Sequence, residues 1–214
     1  MLAFAQDDGV GKRPFPRSQV ELGNGLVSEA LLLDLPSMRS RYRVNEPHSA
    51  YFVTCTIVAW LPVFTSAGRC NIVVESLQYC RENKGLEIFS WVVLDSHLHA
   101  IIAAPELTRV LADFKRHTAQ RILEQLQKEN CEWLLNQFRF YRAKHKIESE
   151  YQVWQEGSHP QAIADDGMMS QKVDYIHNNP VKRGLVSGQE HWVYSSAHEW
   201  CVGAHPVLKC DPWQ

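Results

Sequence analysis

The stretch LEIFSWVVLDSHLHAIIAA, residues 86–104, decides the fold. It is apolar nearly throughout, rich in β-branched and aromatic residues, and broken only at Asp95-Ser96, a natural place for a tight turn. It therefore predicts two antiparallel strands, 86–94 and 97–104, joined as a hairpin. The second strand opens with an anomaly. His97 and His99 occupy what otherwise reads as buried strand, and side chains at i and i+2 project to one side. Leu98 then faces the other way. At a rise of ~3.3 Å per residue the two imidazoles start about 7 Å apart and can converge on one point, which is half of a metal site. A hydrogen-bonded core histidine beside a solvated one would give the same tripeptide, and a metal needs a third ligand.

Working outward, YFVTCTIV (51–58) is a strand by composition, and GRCNIVVESLQYCREN (68–83) places Ile72, Val73, Leu77 and Cys80 at helical spacing before Lys84-Gly85. LTRVLADFKRHTAQRILEQLQKEN (107–130) carries an apolar stripe, Leu107, Val110, Leu111, Phe114, Ile122 and Leu126, opposite a basic face. Residues 131–150 continue as helix, or as helix then loop, and YQVWQEG (151–157) is a candidate short strand. DDGMMSQKVDYIHNNP (165–180) predicts a helix starting near Asp165 or Asp166 and stopped by Pro180. Strand, helix, strand, strand, helix is an α+β plan, close to the ferredoxin-like antiparallel sheet with helices on one face.

The 214 residues divide into an extension at 1–40, Gly- and Pro-rich before an apolar LLLDL, a catalytic-size domain at 41–200, and a C-terminal tail at 201–214. No apolar run reaches the ~20 residues that span a bilayer, and the start lacks the basic-then-apolar order of a secretory signal. A cytoplasmic protein without a membrane partner is expected. The six cysteines form no CxxC or regular framework and read as reduced thiols. Net charge of −2 gives no general attraction to nucleic acid.

Tyr175 and Asn179 stand at i and i+4 on the helix at 165–180, hence on one face. A phenol with a pKa of ~10 is a poor nucleophile until a cation or base assists it. An amide oxygen can ligate a hard divalent ion, and with two imidazoles it makes a mixed N/O set suited to Mn2+ or Mg2+. The alternative is structural: Asn178 and Asn179 before a proline suit a helix end, and Tyr175 could be packing. Basic residues cluster in two places, Arg109, Lys115, Arg116, His117 and Arg121 on one segment and Lys172, Lys182 and Arg183 around Tyr175. Such clusters can track a phosphate backbone or simply be solvated, and Trp192 and Tyr194 could stack on bases or belong to the core.

HLHAII (97–102), DYIHNNPVKRGLV (174–186) and HWVYSSAHEW (191–200), in this order and at these separations, resemble the REP-associated tyrosine transposases. These are relatives of the single-tyrosine HUH transposases, and the likeness covers roughly residues 40–200. It implies the HUH single-tyrosine transposase fold, His97 and His99 as metal ligands, Asn179 as the third ligand and Tyr175 as nucleophile. The implied activity is metal-dependent (Mg2+ or Mn2+) nicking and strand transfer of single-stranded or hairpin DNA (REP-like repeats) through a 5′-phosphotyrosine intermediate. A domesticated hairpin-binding protein that no longer cuts is the alternative, and a di-histidine hydrolase unrelated to DNA would leave Tyr175 without a role. The family's usual Asn-His is Ser96-His97 here, which keeps the ligand but alters the turn that aims it. The basic residues become candidate DNA contacts, and the choice between monomer and homodimer stays open.

Overall fold

The computed structural model describes residues 49–146, 148–203 and 206–213, so the expected extension at 1–40 lies outside the described residues. Four strands, β1 (Tyr51–Thr56), β2 (Glu87–Val93), β3 (His97–Ala103) and β4 (Gln161–Ala162), form an antiparallel sheet in the order β2-β3-β1-β4. With α1 (Ala67–Lys84) between β1 and β2, and α2 (Leu107–Lys128) between β3 and β4, this is the ferredoxin-like βαββαβ arrangement. Three further helices follow the same count: α3 (Glu132–Phe140), α4 (Asp166–Lys182) and α5 (Ala197–Val202).

Alternation sorts the sheet's residues onto two faces. Tyr51, Val53 and Cys55, with Trp91, Val93, Leu98, Ala100 and Ile102, share one core with the apolar stripes of α1 and α2. Phe52, Val92, Ile101 and Ala103 join Met169, Val173 and Ile176 of α4 in a second core. The one-face arrangement expected for the helices thus holds for α1 and α2, while α4 covers the opposite face. Two covered faces explain why residues 86–104 read as nearly continuous apolar sequence. A bulge in β2 between Ile88 and Ser90 sets Phe89 and Ser90 both toward α4 and returns Trp91 to the first core.

Two element boundaries differ from expectation for identifiable reasons. The strand expected at 151–157 runs along β1 as separate contacts: Val58 N–H donates to the Val153 carbonyl (2.8 Å), Gln155 N–H to that of Thr56 (2.8 Å), and Ile57 bridges Trp154. Regular pairing begins only at β4, because Gly157 and His159 take positive φ (76° and 42°) and Pro160 has no N–H to give. Pro180 does not stop α4, which runs on to Lys182. The helix starts as expected, with the Asp165 carboxylate accepting from Met168 N–H at 2.7 Å.

The expected C-terminal tail is part of the fold. Its boundary at residue 200 falls inside α5, and Leu208 is buried in the first core, its carbonyl accepting from the Trp91 indole (3.1 Å). Asp211 N–H donates to the Ile88 carbonyl (2.7 Å), while its side chain accepts from Ile88 N–H (2.9 Å) and pairs with Arg81. Trp213 donates to Asp166 at the start of α4 (2.9 Å). None of the six cysteines is paired in a disulfide.

Leu98, 1% exposed, is the residue whose burial fixes which way His97 and His99 face. Leu98→Ala is expected to cost about 2–5 kcal/mol in urea unfolding, the range for a buried leucine. A cost below about 1 kcal/mol would contradict the register of β3.

Candidate active site

β3 aims both histidines at the face covered by α4. Their rings, 3% and 5% exposed, lean together to 4.6 Å between centroids, nearly perpendicular at 80°. β1 supplies the next layer, because its register sets Thr54 opposite His99 and Thr56 opposite His97. Thr54 Oγ1 lies 2.9 Å from His99 Nδ1, and Ser96 Oγ lies 3.1 Å from His97 Nδ1. With each Nδ1 engaged by a hydroxyl, Nε2 of each ring is left available to a ligand, a pattern that suits a metal-binding histidine.

Electrostatics favours the same role. Burial pushes the His97 pKa down to about 4, helped by the Arg183 charge and opposed by Asp95. His99 is pushed to about 3 by burial, then by His97, Lys172 and Arg183. Both rings are therefore neutral near pH 7, the form that binds a metal. Among the described residues no three His, Cys, Asp or Glu side chains are grouped to hold an ion. A third ligand would have to be of another type; Asn179, expected from sequence in that role, is buried on α4, one turn beyond Tyr175. Two neutral imidazoles with an amide oxygen fit a divalent ion such as Mn2+ or Mg2+.

Tyr175 stands over the pair. Its ring is 41% exposed and meets His99 edge-on at 5.3 Å and Phe52 at 5.8 Å. Phe52 in turn stacks on His99 at 5.3 Å and 24°. Lys172 and Lys182 flank this group, their ammoniums 4.6 Å from the Phe52 ring centre and 5.9 Å from that of Tyr175.

Three ties hold α4 in register. Arg183, at its C-cap, donates to both carboxylate oxygens of Asp95 in the hairpin turn, at 2.8 and 3.0 Å. His177 turns toward β2 and the Ser196 segment rather than to the histidine pair. Its Nε2 is 2.8 Å from Ser196 Oγ and 3.3 Å from Ser90 Oγ. Trp213 holds the other end of the helix. The Ser96 substitution is accommodated within the turn, since its hydroxyl also donates to Asp95 (3.1 Å) and Leu94 N–H closes onto the His97 carbonyl (2.8 Å).

The basic residues named from sequence fall into two groups. Lys172, Lys182 and Arg183 lie on α4 beside Tyr175, with Arg183 committed to Asp95. Arg109, Lys115, Arg116 and Arg121 belong to α2, whose buried stripe joins the core on the other face of the sheet. There Arg109 pairs with Glu106, Arg116 with Asp113 and Arg121 with Glu75, while Lys115 donates to the carbonyls of Gln155 (3.1 Å) and Gly157. The structure thus sets the α2 residues apart from Tyr175. Trp192 and Tyr194, considered for base stacking, are half-buried and structural: Trp192 donates to the Val93 carbonyl (2.9 Å) and Tyr194 to Asn71 (3.0 Å). Sequence reading missed Thr54, Phe52 and Asp95. The period-2 pattern of YFVTCT carried the signal for Phe52 and Thr54 but not the cross-strand register that uses it.

No family model matches the chain. A Haemophilus influenzae protein named as a REP-associated tyrosine transposase is 31% identical over 138 residues, an alignment spanning 60% of this chain and 73% of that one. The chain belongs to the REP-associated tyrosine transposase family. A solved structure of a REP-associated tyrosine transposase bound to a REP hairpin superposes with a TM-score of 0.56, covering 81% of this chain and 92% of the other at 20% identity. That likeness is one of fold. The YSS segment at 194–196 has a clear structural task in this chain. Ser196 N–H donates to the Trp91 carbonyl (2.9 Å), and its hydroxyl accepts from Trp91 N–H (3.0 Å) and meets His177 of the tyrosine helix. No described helix is long and apolar enough to cross a membrane.

The buried rings give a pH prediction. His177, like His97, is held at about 4, burial being the main cause and Asp174 opposing it. These folded-state values lie below the ordinary histidine value, so the unfolded chain binds more protons between them. In chelator-treated protein the urea midpoint is expected to hold above pH 6.5 and to fall as the pH drops from about 6.5 toward 4. A flat midpoint across that window would contradict neutral burial.

Proposed function

We propose that the protein cleaves and rejoins single-stranded DNA carrying a hairpin, with Tyr175 as nucleophile. The observation that carries this reading is the placement of Tyr175, half in solvent, with its ring against that of His99, which in turn meets His97. The hairpin substrate is inferred from the family, one solved member of which was captured on a REP hairpin.

His97, His99 and Asn179 would hold the divalent ion, which when bound supplies Lewis-acid stabilisation of charge on the phosphate oxygens. The chain's own residues do the rest. Tyr175 Oη attacks phosphorus, the bond from phosphorus to the 3′ oxygen breaks, and the 5′ phosphate is left on tyrosine. The phenol gives up one proton and the departing 3′ oxygen takes one up, so the step balances through solvent. Attack by a 3′-OH on the phosphotyrosine reverses it and joins a new strand, with no nucleotide cofactor consumed. Thr54 and Ser96 orient the imidazoles through Nδ1. The Asp95–Arg183 pair and the His177–Ser196 contact keep Tyr175 over them. Lys172 and Lys182 place positive charge where the phosphate backbone must pass.

Purified protein with labelled hairpin-bearing single-stranded DNA and Mn2+ or Mg2+ is expected to yield a covalent protein–DNA adduct, resolved on a denaturing gel. Tyr175→Phe should form none while still binding the DNA. Tight binding without an adduct under any metal would instead favour a non-cleaving hairpin-binding protein. Thr54→Val removes the His99 hydroxyl partner at similar volume and is expected to lower apparent metal affinity or adduct yield about 10–100-fold. An unchanged metal titration would show that this contact orients nothing.

A further inference from the structure

Trp60 is a large ring left in solvent beside the histidine pair. It is 55% exposed, and its indole meets the His97 imidazole edge-on at 5.1 Å. It thereby begins a row of rings, Trp60, His97, His99 and Tyr175, at successive centroid distances of 5.1, 4.6 and 5.3 Å. The ends of this row are exposed and its middle is buried.

The backbone holds the ring out by design of the segment. Val58 and Leu61 on either side are anchored in the first core, and Val58 N–H is tied to the Val153 carbonyl at 2.8 Å. Between them Ala59 and Trp60 both take positive φ, 53° and 56°, a region that residues with a Cβ disfavour. Apolar burial would favour turning an indole inward. Here two consecutive left-handed residues present it to solvent next to the proposed metal ligands, and strain of this kind concentrates at functional sites. Trp192 and Tyr194, by contrast, are engaged with the core.

We propose that Trp60 is the stacking platform for a nucleobase flanking the phosphodiester that Tyr175 attacks, and so sets the register of the strand across the histidine pair. The inference rests on the reading of the site as DNA-cleaving. The ligand chemistry is the flat face of an unpaired base. Any base offers such a face, so Trp60 fixes position along the strand rather than sequence. Lys172 and Lys182 meet the backbone at the Tyr175 end of the row while Trp60 holds a base at the other.

The test is fluorescence anisotropy in EDTA, with the full chain carrying Tyr175→Phe and a hairpin oligonucleotide bearing single-stranded arms, intact or abasic at one arm position at a time. Adding Trp60→Ala is expected to weaken binding of the intact DNA roughly 5- to 150-fold, the range for one stacked base. Trp60→Leu, which keeps apolar bulk without a π face, should behave like Trp60→Ala, and Trp60→Phe should keep most of the affinity. One abasic position should weaken binding to the parent and leave the Trp60→Ala variant unaffected. Equal binding by parent and Trp60→Ala, equal loss in Trp60→Phe, or a loss that ignores abasic position would overturn the inference and leave the proposed function standing. A parent that binds no hairpin DNA would take down that function and this inference together.

Discussion

Everything in the site depends on β3 being buried on both faces. A central strand with two covered faces has no freedom to slip, because a shift of one residue would drive Leu98 into the α4 face and both imidazoles into the core of α1 and α2. The hydrophobic effect thereby fixes the aim of two polar groups it would otherwise exclude. The cost of burying them is moderated by hydroxyl partners from β1 and from the turn. It is also limited by keeping the rings uncharged, the form an imidazole must take to ligate a metal.

Tyr175, the proposed nucleophile, is held by different means. α4 contributes only part of a small core, and its position over β3 is set by polar ties at both ends and in the middle: Trp213 to Asp166, Ser196 to His177, and Arg183 to Asp95. Apolar packing of Met169, Val173 and Ile176 sets the helix on the sheet, but directional bonds decide where along it Tyr175 stands. A rigid strand carries the histidine pair and a bonded helix carries Tyr175, so the two parts of the proposed chemistry rest on separate elements.

Much of this was legible in the sequence. The hairpin, the i,i+2 histidines and the i,i+4 spacing of Tyr175 and Asn179 are local patterns, and local patterns survive folding when burial enforces them. The HLH pair alone favoured a core histidine, and the resemblance to the family is what turned the reading toward chemistry. What stayed hidden is non-local. That α4 covers the far face, that Thr54 lies opposite His99, and that Arg183 closes on Asp95 all depend on pairings between segments 45–88 residues apart. The α2 cations show the converse: a basic stripe visible in sequence turned out to be paired with carboxylates and carbonyls on the other side of the sheet.

The outer side of β2 carries a further consequence. Its peptide groups at Ile88, Trp91 and Val93 are taken by Asp211, Ser196 and Tyr194 of the same chain. A sheet margin saturated in this way offers no template to a neighbour's strand. Two copies of this protein could join through that margin only by first peeling away their own C-terminal residues. The segment that steadies the tyrosine helix therefore also guards the sheet against strand-to-strand association.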